Sequence, residues 1–141
     1  MDIERALSIS ASALNSQRIR MNVIASNLAN INSTRTEEGG PYRRRDVVFA
    51  AVTNNVAFQD ILEKQINNVE VVKIVEDQRP FKMVYNPQHP DANEEGYVAL
   101  PNINLIEEMT NMISASRSYE ANVTAINVTK SMTKKALEIG R

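Results

Sequence analysis

Apolar residues recur at helical spacing near both ends of the chain and lose that spacing in the middle. Leu7, Leu14, Met21 and Leu28 repeat every seven residues, and so do Ile3, Ser10, Gln17, Ile24 and Ile31. Together they fill the two inner positions of a heptad over four repeats, the pattern of a helix that packs along another helix. No Gly or Pro interrupts residues 2–31, and Asp2 can cap the start. The pattern predicts one helix of about 29 residues, roughly 43 Å long at 1.5 Å per residue. Ser10 and Gln17 are polar inner positions, which weaken a seam but fix its register. Ile9, Ile19 and Val23 fall on the opposite side, so this helix has more than one face to bury.

The last quarter, 104–140, carries two stripes. One is Leu105, Met109, Met112, Ser116, Tyr119, Val123 and Ile126; the other is Ala121, Ala125, Val128, Met132 and Ala136. At roughly 100° per residue the two lie on opposite sides of one helix. Asn104 with Glu107 three residues on has the form of a capping box. Glu107 and Glu108 suit the positive start of a helix, and Lys134 and Lys135 its negative end. A surface helix needs one apolar face. A helix with two needs partners on two sides, and a chain of 141 residues offers few internally.

Between the helices, Asn32–Arg45 is a polar turn containing Gly39, Gly40 and Pro41. Val47, Val48, Phe49 and Val52 suggest a strand, and Phe58, Ile61, Leu62 and Ile66 a short helix after it. Val69–Val75 and Phe81–Tyr85 read as two strands of one hairpin turned at Asp77–Pro80, with an irregular loop over 86–101. A lone hairpin is marginal and needs a covering helix or a neighbouring molecule. The expected fold is mainly α with a small β part. The long terminal helices pair as an antiparallel, coiled-coil-like hairpin; residues 1–34 and 102–141 form the helical domain, and 35–101 an extended connector with a β-hairpin.

The polar residues of the first helix are mostly Ser and Asn, among them Ser8, Ser12, Asn15, Ser16, Asn22, Ser26 and Asn27. Neutral hydroxyls and amides can be buried if they are hydrogen-bonded, whereas unpaired charges there are very costly. This face therefore reads as one buried against a partner. A formal charge of −1 gives no overall attraction to nucleic acid or anionic lipid, and the short run Arg43–Arg45 fits a solvated turn or an inter-subunit contact better than a nucleic-acid patch. Cys is absent, which removes disulfides and thiol chemistry. The only histidine, His89, sits in a Pro-flanked polar loop without a second His or Cys to complete a metal site. There is no nucleophile elbow, phosphate loop or dinucleotide fingerprint. No enzyme activity and no cofactor are expected. No apolar run reaches the length of a membrane span, and the start lacks the basic and apolar regions of a cleaved secretory signal.

Three separated motifs, in order, resemble the bacterial flagellar basal-body rod proteins. The first is Ala25-Ser26-Asn27-Leu28-Ala29-Asn30-Ile31-Asn32-Ser33-Thr34, followed by Gly40-Pro41-Tyr42-Arg43-Arg44. The second comprises Glu108-Met109, Met112-Ile113 and Arg117-Ser118-Tyr119-Glu120-Ala121-Asn122. Between them, His89-Pro90-Asp91-Ala92, Gly96-Tyr97-Val98 and Pro101-Asn102 resemble the proximal-rod subtype, which the long gap from Thr34 to Tyr42 also fits. The resemblance implies a subunit of a helical rod that crosses the periplasm, transmits motor torque and surrounds an export channel. It also implies export without a cleaved signal. Implied partners are copies of the chain, other rod proteins, the export-gate or base adaptor, and the surrounding ring proteins.

On that resemblance and the two stripes, the expected subunit-interface residues of the first half are Leu7, Leu14, Met21, Asn27, Leu28, Asn30, Tyr42 and Arg43. Those of the last helix are Met109, Met112, Arg117, Tyr119, Asn122, Val123, Ile126, Val128 and Met132. The stripes left over after helix pairing must then be covered by neighbours, and a head-to-tail contact that does not close builds a helical filament. A soluble enzyme would instead need a closed pocket with convergent polar groups, and a free-standing coiled-coil adaptor would form a discrete dimer. A needle-like subunit of an injection apparatus would share the physics but not the Asn-Leu-Ala-Asn and Tyr-Glu-Ala-Asn motifs.

Overall fold

The computed structural model describes residues 3–53 and 67–140. In order, the elements are α1 (Ile3–Ala29), β1 (Arg45–Thr53), β2 (Asn67–Glu76), β3 (Lys82–Tyr85), β4 (Tyr97–Leu100) and α2 (Leu105–Ile139). The mainly helical fold with a small β part, expected from the sequence, is what the chain adopts. The proposed short helix around Phe58–Ile66 and the cap at Asp2 lie outside the described residues.

The two helices run antiparallel. Asn27 at the end of α1 meets Glu108 in the first turn of α2 at 3.0 Å. Further along, Leu14 and Arg18 share a crevice with Tyr119. The side of α2 that is buried runs through Glu108, Met112, Ala115, Tyr119, Asn122 and Ile126, a heptad spacing. Ala115 is fully buried, and its small side chain lets the helices approach closely. This seam shares Met112, Tyr119 and Ile126 with the first expected stripe but replaces Met109 and Ser116 by Glu108 and Ala115. The expectation missed Glu108 because a charged residue does not read as a seam position. Asn104 caps α2 as expected, accepting from Ile106 N at 3.0 Å. Glu107 lies instead 3.6 Å from Arg79 across the connector.

The other side of α1 is covered by the β1–β2 pair, so α1 is sandwiched between α2 and a sheet. Its polar face was expected to be buried against a partner; part of it is, and the partner is this chain's own strand. Ser16 Oγ donates to Val69 O at 3.0 Å, and Val69 N donates to Ser12 Oγ at 3.2 Å. The strand pairing skips Val72, which bulges between the pairs Val48–Lys73 and Phe49–Val71. Without the bulge, strict alternation would place Lys73 on the same face as Val69 and Val71. With it, Ile74 takes that face and lines a crevice with Ile19 and Val23 of α1.

The expected hairpin of 69–75 with 81–85 does not form. Both segments are strands, but β2 pairs antiparallel with β1 from Arg45–Glu76 to Thr53–Asn67, whereas β3 pairs with β4. The reason is partner length: β1 offers β2 nine residues of ladder, against the four of β3. The segment read as an irregular loop therefore contains a strand, β4, whose Val98 is buried. Asp77–Pro80 is a crossing between sheets, fixed by Asp77 accepting from both Arg79 N and Arg79 Nε.

Candidate functional site

At the root of the helix pair, where α1 ends and α2 begins, the described interior is polar. Asn27 and Glu108 are both fully buried, and Arg44 is nearly so. The chain returns there from α1 through a tight turn in which Gly39 (φ +88°) and Gly40 (φ +80°) adopt the left-handed conformation that side chains disfavour. Thr36 N donates to Gly40 O at 2.9 Å and Tyr42 N to Ser33 O at 3.1 Å, which seats Tyr42 and Arg44 against the root.

Asn27 makes four hydrogen bonds to three neighbours with one amide. Its Nδ2 donates to Arg45 O at 2.8 Å and to Glu108 Oε2 at 3.0 Å. Its Oδ1 accepts from Arg45 N at 3.0 Å and from the Tyr42 hydroxyl at 3.2 Å. The other oxygen of Glu108 accepts from Arg44 Nε at 2.7 Å. Arg44 Nη1 reaches Asp46 at 3.1 Å and Asp77 at 3.6 Å. Burial disfavours the guanidinium charge, but the bonds to Glu108 and Asp46 outweigh it and hold Arg44 above its ordinary value. Asn102 closes the ring: its Oδ1 accepts from Arg44 N at 2.9 Å and its Nδ2 donates to the carbonyls of Asp77 and Arg79, each at 3.1 Å. One network thus ties α1, the Arg45–Glu76 end of the β1–β2 pair, the crossing and the start of α2. It is fully paired and offers no free nucleophile or base, so what it can do is fix geometry.

The expected interface residues divide into three sets. Asn27 and Tyr42 belong to the root, and beside it Arg43 donates to Asp77 O at 3.2 Å and stacks 4.3 Å from the Phe81 ring centroid. Leu7, Leu14, Met21 and Leu28 on α1, Asn30 just past its end, and Met112, Tyr119, Asn122, Val123 and Ile126 on α2 are half-buried. Met109, Arg117, Val128 and Met132 are exposed. The whole second stripe of α2, Ala121, Ala125, Val128, Met132 and Ala136, is exposed along the far side from α1. Sequence reasoning missed Glu108, Arg44 and Asn102 as a unit. Their available signal was a Glu at the head of a heptad seam and an Arg two residues after a Tyr that follows a Gly-Gly turn. Among the described residues, no group of three or more acidic, His or Cys side chains could hold a metal ion. No described helix is long and apolar enough to cross a membrane.

Both helices lie in regions shared with known proteins. Residues 7–35 match the family model for flagella basal body rod protein, and residues 94–139 match that for the C-terminal region of flagellar basal body rod FlgEFG proteins. The chain is 48% identical to the flagellar basal-body rod protein FlgC of Bacillus subtilis (strain 168), over 96% of this chain and 97% of the relative. It is 44% identical to FlgC of Borreliella burgdorferi, over 99% and 98%, and 46% identical to FlgC of Aquifex aeolicus, over 98% and 97%. The root residues fall inside or next to the matched regions: Asn27 in the first, Asn102 and Glu108 in the second, with Arg44 on the chain between them. The chain therefore belongs to the flagellar basal-body rod protein family, and within it resembles the FlgC type along nearly its whole length.

Proposed function

We propose that this rod subunit assembles by laying the outer stripe of α2 against neighbouring subunits, so that helix pairs side by side form the wall of a torque-transmitting, periplasm-spanning rod around an export channel. The observation that carries this reading is the row Ala121, Ala125, Val128, Met132 and Ala136, exposed on the side of α2 that α1 leaves uncovered. In water such a row is a liability, and a contiguous exposed apolar surface of this kind marks an interaction site. Family membership makes the function structural: a rod component that assembles with other rod components. Residues 1–34 with 102–141 are the wall-forming domain, and 35–101 is the outward connector.

Two further features support assembly. Four hydrophobic residues are buried among those described, Ile24, Tyr42, Val98 and Ala115, against four polar or charged ones, Ser16, Asn27, Arg44 and Glu108. An interior as polar as it is apolar gives a lone subunit little hydrophobic stabilisation. The terminal helices are therefore loosely held in the free chain and stiffen when neighbours cover them. Leu7, Leu14, Met21, Leu28, Asn30, Arg43, Met109, Met112, Arg117, Tyr119, Asn122, Val123 and Ile126 contribute at the margins of this contact, and Val128 and Met132 at its centre. Asn27 and Tyr42 act from within, by setting the angle at which α2 is presented. The export-gate adaptor and ring proteins are further partners of the assembled rod, reached by export without a cleaved signal.

The test is the pair Val128→Glu and Met132→Glu, expressed in a strain lacking its own rod subunit of this type. The expected result is loss of motility and absence of the variant from purified basal bodies, with circular dichroism of the free chain unchanged. Normal incorporation would remove the outer stripe from the interface.

A further inference from the structure

A second exposed surface lies at the opposite end of the molecule from the tip of α2. In the β3–β4 pair, Met83, Tyr85, Tyr97 and Ala99 share one face because Met83 pairs with Ala99 and Tyr85 with Tyr97. The two tyrosine rings meet edge to face, 5.3 Å apart. That face is open: Met83 is 53%, Tyr85 65% and Tyr97 40% exposed. It is also held rigidly. Gly96 adopts φ +80°, and a Cβ there would lie 2.9 Å from the Tyr85 ring. Asn93 Oδ1 accepts from Glu95 N and Tyr97 N. The loop 86–96 beside the face contains Asp91, Glu94 and Glu95 and no Lys or Arg. Asp91 is paired with Arg35 at 3.0 Å, which leaves Glu94 and Glu95 exposed.

The tip of α2 has the complementary chemistry. α2 has 35 residues against the 27 of α1, and the root fixes the two helices together at one end. About eight residues of α2 therefore run past the start of α1, roughly 12 Å. On this overhang Leu137 is 70% and Ile139 87% exposed, beside exposed Met132, Lys134 and Lys135. Glu138 is the only acid between 130 and 140, against three lysines.

We propose that these two ends are the halves of one contact between copies of this chain: the basic, apolar tip of α2 in one copy docks on the acidic, tyrosine-bearing face of β3–β4 in the next. The contact is intermolecular by reach. The 35-residue helix spans about 52 Å at 1.5 Å per residue. Tyr97 precedes Leu105 by eight residues, at most about 28 Å of chain, so the tip cannot fold back onto its own tyrosines. The contact is also heterologous, joining unlike surfaces, and so it continues from copy to copy into a ring or an open helix instead of ending at a two-fold dimer. Charge complementarity selects this pairing over tip-to-tip or face-to-face meetings, which would set like charges together. The inference deepens the assembly reading by naming a second surface and its occupant.

Charge reversal tests it on the full chain. Lys134→Glu with Lys135→Glu gives one variant an acidic tip and an acidic face. Glu94→Lys with Glu95→Lys gives the other a basic tip and a basic face. In sedimentation of the purified proteins, the unchanged chain should self-associate, less so as salt is raised. Each variant alone should associate about tenfold more weakly or worse, and the equimolar mixture should regain association, because each tip then meets an opposite face. A monomeric unchanged chain, or a mixture no tighter than its components, would overturn the proposal. Cross-linking gives a second reading that does not depend on charge: Leu137→Cys and Tyr85→Cys variants should form a disulfide dimer when mixed and oxidised, and its absence likewise counts against the contact. A chain that enters basal bodies yet fails both tests loses this contact alone. If the unchanged chain passes both while the Val128→Glu, Met132→Glu variant still enters basal bodies, this contact stands and the outer-stripe reading falls.

Discussion

The root of the helix pair and the outer side of α2 invert the usual arrangement of a soluble protein. At the root, a Glu, an Arg and an Asn are withdrawn from water and bonded to one another. Along the outer side, Val128 and Met132 stand in water with nothing over them. A self-sufficient globule would place them the other way round. The difference teaches that the two regions serve different demands. Burying an ion pair adds little net stability over a hydrophobic isostere but tolerates few alternative geometries. The root thus determines the angle at which the helices leave the connector. The outer side supplies area to be covered by others. Direction is set inside the subunit and adhesion outside it.

The sharpest way to break this division is to remove Glu108. Glu108→Ala leaves the Arg44 guanidinium buried beside Asp46 and Asp77 without its 2.7 Å partner. The cost should be about 3–5 kcal/mol, as when one member of a buried pair is deleted, read as a lowered urea midpoint. If Val128→Glu with Met132→Glu costs as much in the same titration, the outer side is part of the core and the contrast fails. A smaller loss is expected from Asn27→Ala, which strips partners from the Tyr42 hydroxyl, Arg45 N and O, and Glu108 Oε2. About 1–3 kcal/mol fits the unpairing of buried polar groups. The sharper signature is that Asn27→Asp should not restore it, because a carboxylate cannot donate to Arg45 O and Glu108.

The helices, their antiparallel pairing and the uncovered second stripe were legible in the chain because heptad spacing records them directly. The cap at Asn104 was legible for the same local reason. Two things were not. The pairing of β2 with β1 is a competition between strands far apart in sequence, and ladder length, which decided it, is not a local property of either strand. The root was hidden because its members come from four segments, and residue type argues against burial for Glu108 and Arg44 until their bond to each other is known. Asn27 was singled out through the family resemblance, while its four-way bonding belongs to the fold. The Ser- and Asn-rich face of α1 was read as buried against a partner; Ser16 and Asn27 are buried, but Ser8, Asn15, Asn22 and Ser26 are exposed, and the partner of Ser16, Val69, lies in this chain and not in a neighbour.

The weakest expected effect probes the rim of the root, where the network meets water. Asp77 accepts from the side chain and backbone of Arg79 and lies near Arg44, which together hold its carboxyl below the ordinary carboxylate range. Because the folded state favours the charged form, this contribution is fully present above the unfolded value, near 3.9. It disappears as pH falls through the lower folded value. Arg79 is about half exposed, so the pair is screened and contributes on the order of 1 kcal/mol or less. Asp77→Asn should therefore lower stability slightly at neutral pH, and the gap between variant and unchanged chain should narrow once the solution is more acidic than the ordinary Asp value. Arg44 retains Glu108 and Asp46 in that variant, so the root stays assembled. A gap that is constant from neutral to strongly acidic solution would show that the Asp77 side chain acts through the geometry of its bonds to Arg79 N and Nε and not through its charge, so that the crossing between the sheets is held by shape, as the root is.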